Sequence, residues 1–274
     1  MLLMLVLTVL LLLRLHEARG WALSLPFLAF WLSLYPPGLF FSLQYGAIYC
    51  VTVLGCLGVL RAGEERRILL FEMIGTAASY FDLMTYPLVS LGVPLALWMC
   101  LSAGEEKQLI NRTGQALGLC LCWGFGYTFT WVFKWLLAGL LTGSDAIAES
   151  LSVAAFRISG QMGPEHIGPL SAITRNISVF AYKGLLLGLL LLFAAMLWLL
   201  RRRGRQSRCM SDTLGLLGCA LMPFIWYALL SNHSHIHAFF TYRELSITVF
   251  ALFALLMLPL KGQLPPGNNQ SIAK

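Results

Sequence analysis

Charged side chains are scarce in this chain, at 11% of its 274 residues, where a soluble globular domain carries about a quarter. With 58% of the residues hydrophobic, that scarcity excludes an ordinary water-soluble fold, because one aqueous core cannot cover so much apolar surface. No hydrophilic block is long enough for a separate soluble domain, so residues 1–274 read as a single transmembrane domain. Acidic residues are outnumbered, 12 against 19 basic ones. In so apolar a chain the excess marks loops facing the cytosol and anionic headgroups, and no nucleic-acid partner is expected. A disulfide framework is also missing, since Cys50, Cys56, Cys100, Cys120, Cys122, Cys209 and Cys219 lie inside apolar stretches or at their ends. The Cys120 and Cys122 spacing suits no common zinc site and points to packing. No internal repeat relates two halves, which weakens a carrier architecture.

What is abundant is apolar length. Segments at 1–13, 20–35, 45–60, 67–81, 87–103, 113–136, 179–200, 212–231 and 245–260 predict an all-α, polytopic bundle of about nine transmembrane helices. Residues 1–13 lack the basic region that precedes a signal peptide's apolar run, so they read as a short first span or the remnant of a longer one. Counting Lys and Arg in alternate loops gives the sidedness. One set holds Arg14, Arg19, Arg61, Arg66, Arg67, Lys107, Arg112, Arg201, Arg202, Arg203, Arg205, Arg208, Lys261 and Lys274; the other holds Lys134, Arg157, Arg175, Lys183 and Arg243. The first set is expected inside, with a cytoplasmic C-terminus. The outer face then comprises 36–44, a hairpin around 82–86, the long stretch 142–178, and 231–244. Within the long stretch, Ile147, Leu151, Ala154, Ala155 and Ile158 share a helical face, and Asp145, Glu149 and Arg157 are expected to point to water. This amphipathic helix should lie on the membrane surface. Gly163-Pro164 ends it, and a second short helix starts at Pro169 with Leu170, Ile173 and Ile177 as its stripe.

The polar residues of the outer pieces are the candidates for chemistry. Asp82, beside Pro87, is either a turn cap accepting N–H bonds near Thr85 or a general base. The segment Asn232-His233-Ser234-His235-Ile236-His237 would line one face of a strand with alternate histidines, or of a helix with His233 and His237. Either could approach Zn²⁺, but the motif lacks a closing ligand, and neither a metal nor a cofactor is expected. Arg243 can clamp a phosphate in two-point fashion or anchor the interface beside Tyr242. Lys134 lies among Tyr127, Trp131 and Trp135, and with Lys183 forms either a positive pocket or two snorkelling cations. Glycosylation tripeptides at Asn111, Asn176, Asn232 and Asn269 carry little weight.

Several phrases carry a resemblance: Ser42 to Tyr45, Phe81-Asp82-Leu83-Met84-Thr85-Tyr86-Pro87-Leu88 with Leu91 to Leu95, Gly126-Tyr127 with Trp131 and Lys134-Trp135, and Asn232-His233-Ser234 with Ile236-His237 and Phe240-Thr241-Tyr242-Arg243. In these the chain resembles large bacterial polytopic membrane proteins that are similar to GT-C-type glycosyltransferases, enzymes that take sugars from polyprenyl phosphate carriers at the outer face. The resemblance implies a multi-pass bacterial cell-membrane protein that binds or transfers a lipid-linked sugar phosphate. Asp82, His233 and His237 would be the catalytic candidates, and Lys134, Trp131, Trp135, Lys183, Tyr242 and Arg243 the substrate-binding ones. The segment 36–44 contains no acid, whereas GT-C enzymes keep an acidic motif in the first outer loop. The chain therefore looks like the C-terminal transmembrane half of such a protein, with membrane lipids as partners and a second membrane protein supplying the missing N-terminal half. Two other readings stay open: a permease with Glu72 and the two lysines on its path, and a non-catalytic assembly protein.

Overall fold

The computed structural model describes residues 1–82, 84–103, 109–162, 165–183, 186–203 and 210–258. They form an all-α protein of fourteen helices: α1 (Leu2–Arg19), α2 (Trp21–Ser33), α3 (Pro36–Phe40), α4 (Leu43–Val59), α5 (Glu64–Phe81), α6 (Val89–Leu101), α7 (Leu109–Thr142), α8 (Ala146–Ser159), α9 (Pro169–Lys183), α10 (Leu186–Arg203), α11 (Met210–Leu229), α12 (Ser231–Ile236), α13 (Ala238–Thr241) and α14 (Leu245–Met257). A two-residue antiparallel ladder, Gln161–Met162 with Glu165–His166, sits between α8 and α9. Among the described residues three stretches are long and apolar enough to cross a membrane: Ile110–Thr142, Met210–Leu229 and Ala238–Met257.

The expected segments recur with shifted ends, and the shifts have causes. The first helix continues past residue 13 to Arg19, because Arg14 pairs with Glu17 at 2.8 Å and supports the solvated turns. The segment expected from 179 starts at Leu186 instead; α9 keeps Ala172 and Asn176 buried on one face and runs to Lys183. The proline pair at 36–37 opens the short α3 rather than a loop. Both short helices of the long stretch are present, but the first ends before the expected Gly163-Pro164 break: Asp145 caps α8 by accepting the Ala148 amide at 3.1 Å, and Gly160 ends it at φ 71°. The Gly163-Pro164 break and the run 204–208 lie outside the described residues.

Helix ends sort into two groups. At one end Arg19 donates to the Leu101 and Ala103 carbonyls, Arg112 pairs with Asp212, Arg67 lies over the Trp98 ring, and Leu200 packs with Ala22 and Met257. At the other, Tyr86 meets Tyr45, Met84 meets His233, and Asn232 binds the α8 terminus. Arg19, Arg67 and Arg112 thus lie at the end opposite the α5–α6 turn and the histidine segment.

The core forms around α6 and α14. Every residue from Val89 to Cys100 is buried, and Glu244 Oε1 accepts the Leu88 amide at 3.0 Å. The periphery, α1, α7, α10 and α11, keeps large apolar side chains such as Val9, Leu121, Leu190 and Leu221 exposed, as lipid-facing surfaces require. α5 and α7 approach most closely, through glycine. A Cβ on Gly75 would fall 2.0 Å from the Trp123 carbonyl oxygen, and one on Gly126 would fall 2.2 Å from that of Glu72. Such backbone-to-backbone contact needs small residues. Gly124, two residues away and on the opposite side of α7, faces open space. Gly126→Leu is therefore expected to destabilise the protein by about 2 kcal/mol or more, and Gly124→Leu to leave it near wild type. Thermal unfolding of both variants in detergent checks this, and equal midpoints would contradict the packing.

Candidate functional site

The polar residues at the end that carries the α5–α6 turn and the histidine segment divide into three neighbouring groups. The first is the turn between α5 and α6. Asp82 accepts the Thr85 amide with both carboxylate oxygens at 3.0 Å and the Thr85 hydroxyl as well. It thus caps the turn, while α6 itself begins later, at Val89. Met84 is held at φ 59°, a left-handed conformation that an L side chain adopts at a cost of about 1 kcal/mol. Two contacts hold it there: His233 Nε2–H donates to its carbonyl at 2.7 Å, and the Arg157 guanidinium meets its sulfur.

The histidine segment is helical, so His233 and His237 share a face, with ring centroids 5.0 Å apart. His237 stacks on Phe240 at 5.0 Å, and His235 points elsewhere, toward Ser171 Oγ at 3.2 Å. Among the described residues no group of three His, Cys, Asp or Glu could hold a metal ion. Burial pushes the His233 imidazole down to about 4; the Met84 carbonyl opposes the shift, and Arg157 and His237 add to it. His237 is also lowered, by burial and by Arg157.

The second group encloses Arg243, which is 2% exposed. Its Nε donates to the Leu34 carbonyl at 3.2 Å, and the guanidinium lies 4.2 Å from the Tyr45 ring centre, 4.8 Å from Tyr242 and 5.8 Å from Tyr86. Gly38 backs it, and a Cβ there would meet Arg243 Nη2 at 3.0 Å. This is a cation in a tyrosine cage that ends α2.

The third group is a cleft of about 560 Å³ between α7 and α8. Tyr127, Trp131 and Trp135 wall it from α7, Glu149 and Arg157 face it from α8, and Met84 closes its base. The two tryptophans stand edge to face at 6.4 Å. Arg157 was expected to point to water. It turns inward, because the face of α8 that meets the protein carries the buried Ala146 and Ser150 and the half-buried Ala154 and Arg157, while Ile147, Leu151, Phe156 and Ile158 are exposed. An amphipathic helix in the interface directs its apolar side at lipid, which leaves the polar side for the protein. Among the described residues no carboxylate pairs with Arg157.

Of the candidate residues, Trp131 and Trp135 come together in the cleft, Tyr242 and Arg243 in the cage, and Asp82 with His233 at the Met84 turn. Lys134 joins none of these, its Nζ donating to the Ser79 carbonyl at 3.0 Å. Lys183 ends α9, and its side chain lies outside the described set. Arg157, Tyr127 and Glu149 were not nominated. Asn176 and Asn232 have buried amides bonded to backbone carbonyls, so neither presents a glycosylation site.

Fold and site define an all-α membrane protein with an aromatic-walled, arginine-bearing cleft at one end. Comparison with protein-family models, with curated proteins and with solved structures gives no match.

Because the folded His233 titrates below its usual 6.5, the unfolded chain binds more protons between about 6.5 and about 4. Stability is therefore full above pH 6.5 and falls as the pH drops toward 4, by roughly 2 to 3 kcal/mol. Thermal unfolding at pH 7 and pH 4.5 should show a larger acid loss in wild type than in His233→Gln, which keeps a donor for Met84 without a titrating ring. Equal losses would contradict the assignment.

Proposed function

We propose that this chain is a multi-pass membrane protein that binds an anionic, lipid-anchored headgroup in the α7–α8 cleft. The observation that carries the reading is Arg157, which faces an aromatic-walled cavity beside an interfacial helix and has no carboxylate partner among the described residues. A guanidinium supplies planar donors to a phosphate, and indole and phenol rings stack on the faces of a sugar. The exposed stripe of α8 sets the cleft at headgroup depth.

The topology follows the charge count: α1, α2, α4, α5, α6, α7, α10, α11 and α14 make nine crossings, with Arg19, Arg67 and Arg112 at the cytoplasmic end and the cleft outside. A bacterial cell membrane, a cytoplasmic C-terminus and a lipid-linked sugar phosphate of the kind GT-C-type enzymes use are parts of this proposal, and they rest on the resemblance of the quoted phrases. Under it the phosphate partner is Arg157 in place of Lys134 and Arg243. Those two are committed to the Ser79 and Leu34 carbonyls. Asp82 is engaged with Thr85 and His237 lies beside Phe240, outside the lining of the cleft, so the reading is one of binding and assigns no proton acceptor.

Arg157→Ala should weaken binding of a dolichyl- or polyprenyl-phosphate sugar in nanodiscs by about tenfold or more, the worth of one charged hydrogen bond. Trp131→Ala should weaken the sugar-bearing ligand more than the bare lipid phosphate. Wild-type affinity in Arg157→Ala would reject the site.

A further inference from the structure

The cleft is one end of a longer feature. A second cavity, of about 380 Å³, lies in the basic half between α6, α7 and α11, with Thr113, Leu117 and Cys120 of α7 facing Leu214, Gly218 and Met222 of α11. The α7 residues of both cavities share a single face. Thr113 and Trp131 are separated by about five turns of 3.6 residues, and Leu117, Cys120, Gly124 and Thr128 fall at helical spacing between them. The gap between the two cavities is bridged by Gly124, where an added Cβ would meet no atom within 4 Å; Gly218, across on α11, is equally open. Leu117 and Ile225 line the inner cavity and are 59% and 57% exposed, so the crevice opens sideways to the membrane.

From Thr113 to Trp135 the face extends about 33 Å at 1.5 Å per residue, close to the roughly 30 Å of a bilayer's hydrocarbon core. Its lining is apolar in the middle and carries charge at the ends: Arg157 outside, and the Arg112–Asp212 pair inside. Such a lining does not solvate a headgroup in transit; it takes hydrocarbon. We infer that the α7–α11 crevice holds the single hydrocarbon tail of the amphiphile whose anionic headgroup occupies the Arg157 cleft, and that it selects a tail longer than one leaflet. The inference rests on the headgroup reading above. Charge complementarity fixes the headgroup end, and continuity with that cleft fixes the tail's path. Because lipid is as apolar as leucine, the selection comes from packing along the groove rather than from escape from water.

The test uses alkyl phosphates with a diazirine on the terminal carbon, one of roughly ten carbons and one of roughly thirty, a length suited to the bilayer core. The full chain is photolysed in nanodiscs and the adducts are mapped by mass spectrometry. The short probe should label near Thr128 and Leu230, and the long probe near Leu117 to Cys120 and Leu214 to Met222. Gly124→Trp, with Gly218→Trp as a second obstruction, should lower the deep labelling about tenfold and spare the short probe's labelling. Long-probe adducts spread equally over Leu190, Leu191 and Phe133, or deep labelling unchanged in both variants, would overturn the inference while leaving the headgroup site intact. Short-probe labelling that ignores Arg157→Ala would overturn the headgroup reading itself.

Discussion

The arrangement depends on how the two ends of α6 are satisfied. This helix is buried along its length, so its orphan amides and carbonyls have no water to bind. Glu244 brings a buried carboxyl oxygen to the Leu88 amide from 156 residues away, and at the far end Arg19 and Arg112 donate to the Leu101 and Met99 carbonyls. The cations at the carboxyl end match the helix dipole. Each bond from an arginine is worth about 1.5 to 3 kcal/mol, and leaving the buried Leu88 amide without its acceptor would cost about 1 to 3 kcal/mol. Asp212 pairs with Arg112, so its buried charge is compensated.

Once α6 is clamped, the end that holds its first turn has few remaining freedoms. Glu244 belongs to the turn that starts α14, and its neighbour Arg243 fastens the end of α2 through the Leu34 carbonyl. Thr241 hydrogen-bonds Asn176 of α9, and Asn232 binds the Phe156 carbonyl at the end of α8. The Asp82–Thr85 turn, which feeds α6, presents Met84 between His233 and Arg157. The cleft is thus placed by contacts that lead back to α6, which is why strain at Met84 persists there.

Much of this is legible in the chain. Apolar runs locate the long helices, and the 3.6-residue spacing of Ile147, Leu151 and Ile158 identifies the amphipathic α8. Trp131 and Trp135 follow from aromatics at a helix end. The remaining site residues are invisible for a common reason, that their partners are distant in sequence. Arg157 looks solvated because the periodicity of α8 shows that its two faces differ, without showing that the polar one meets Tyr127. Glu244 looks like one more loop acid until Leu88 is beside it. Arg243 looks like a surface clamp, since nothing local reveals the three tyrosines that enclose it.

Hydrogen exchange in the Glu244→Ala protein tests the clamp on α6 most directly. The account predicts that protection of the amides at residues 88–91 falls by about 100-fold, the equivalent of 2 to 3 kcal/mol, while the Arg112 end of α6 and the α8 amides keep wild-type protection. Unchanged protection at 88–91 would contradict it.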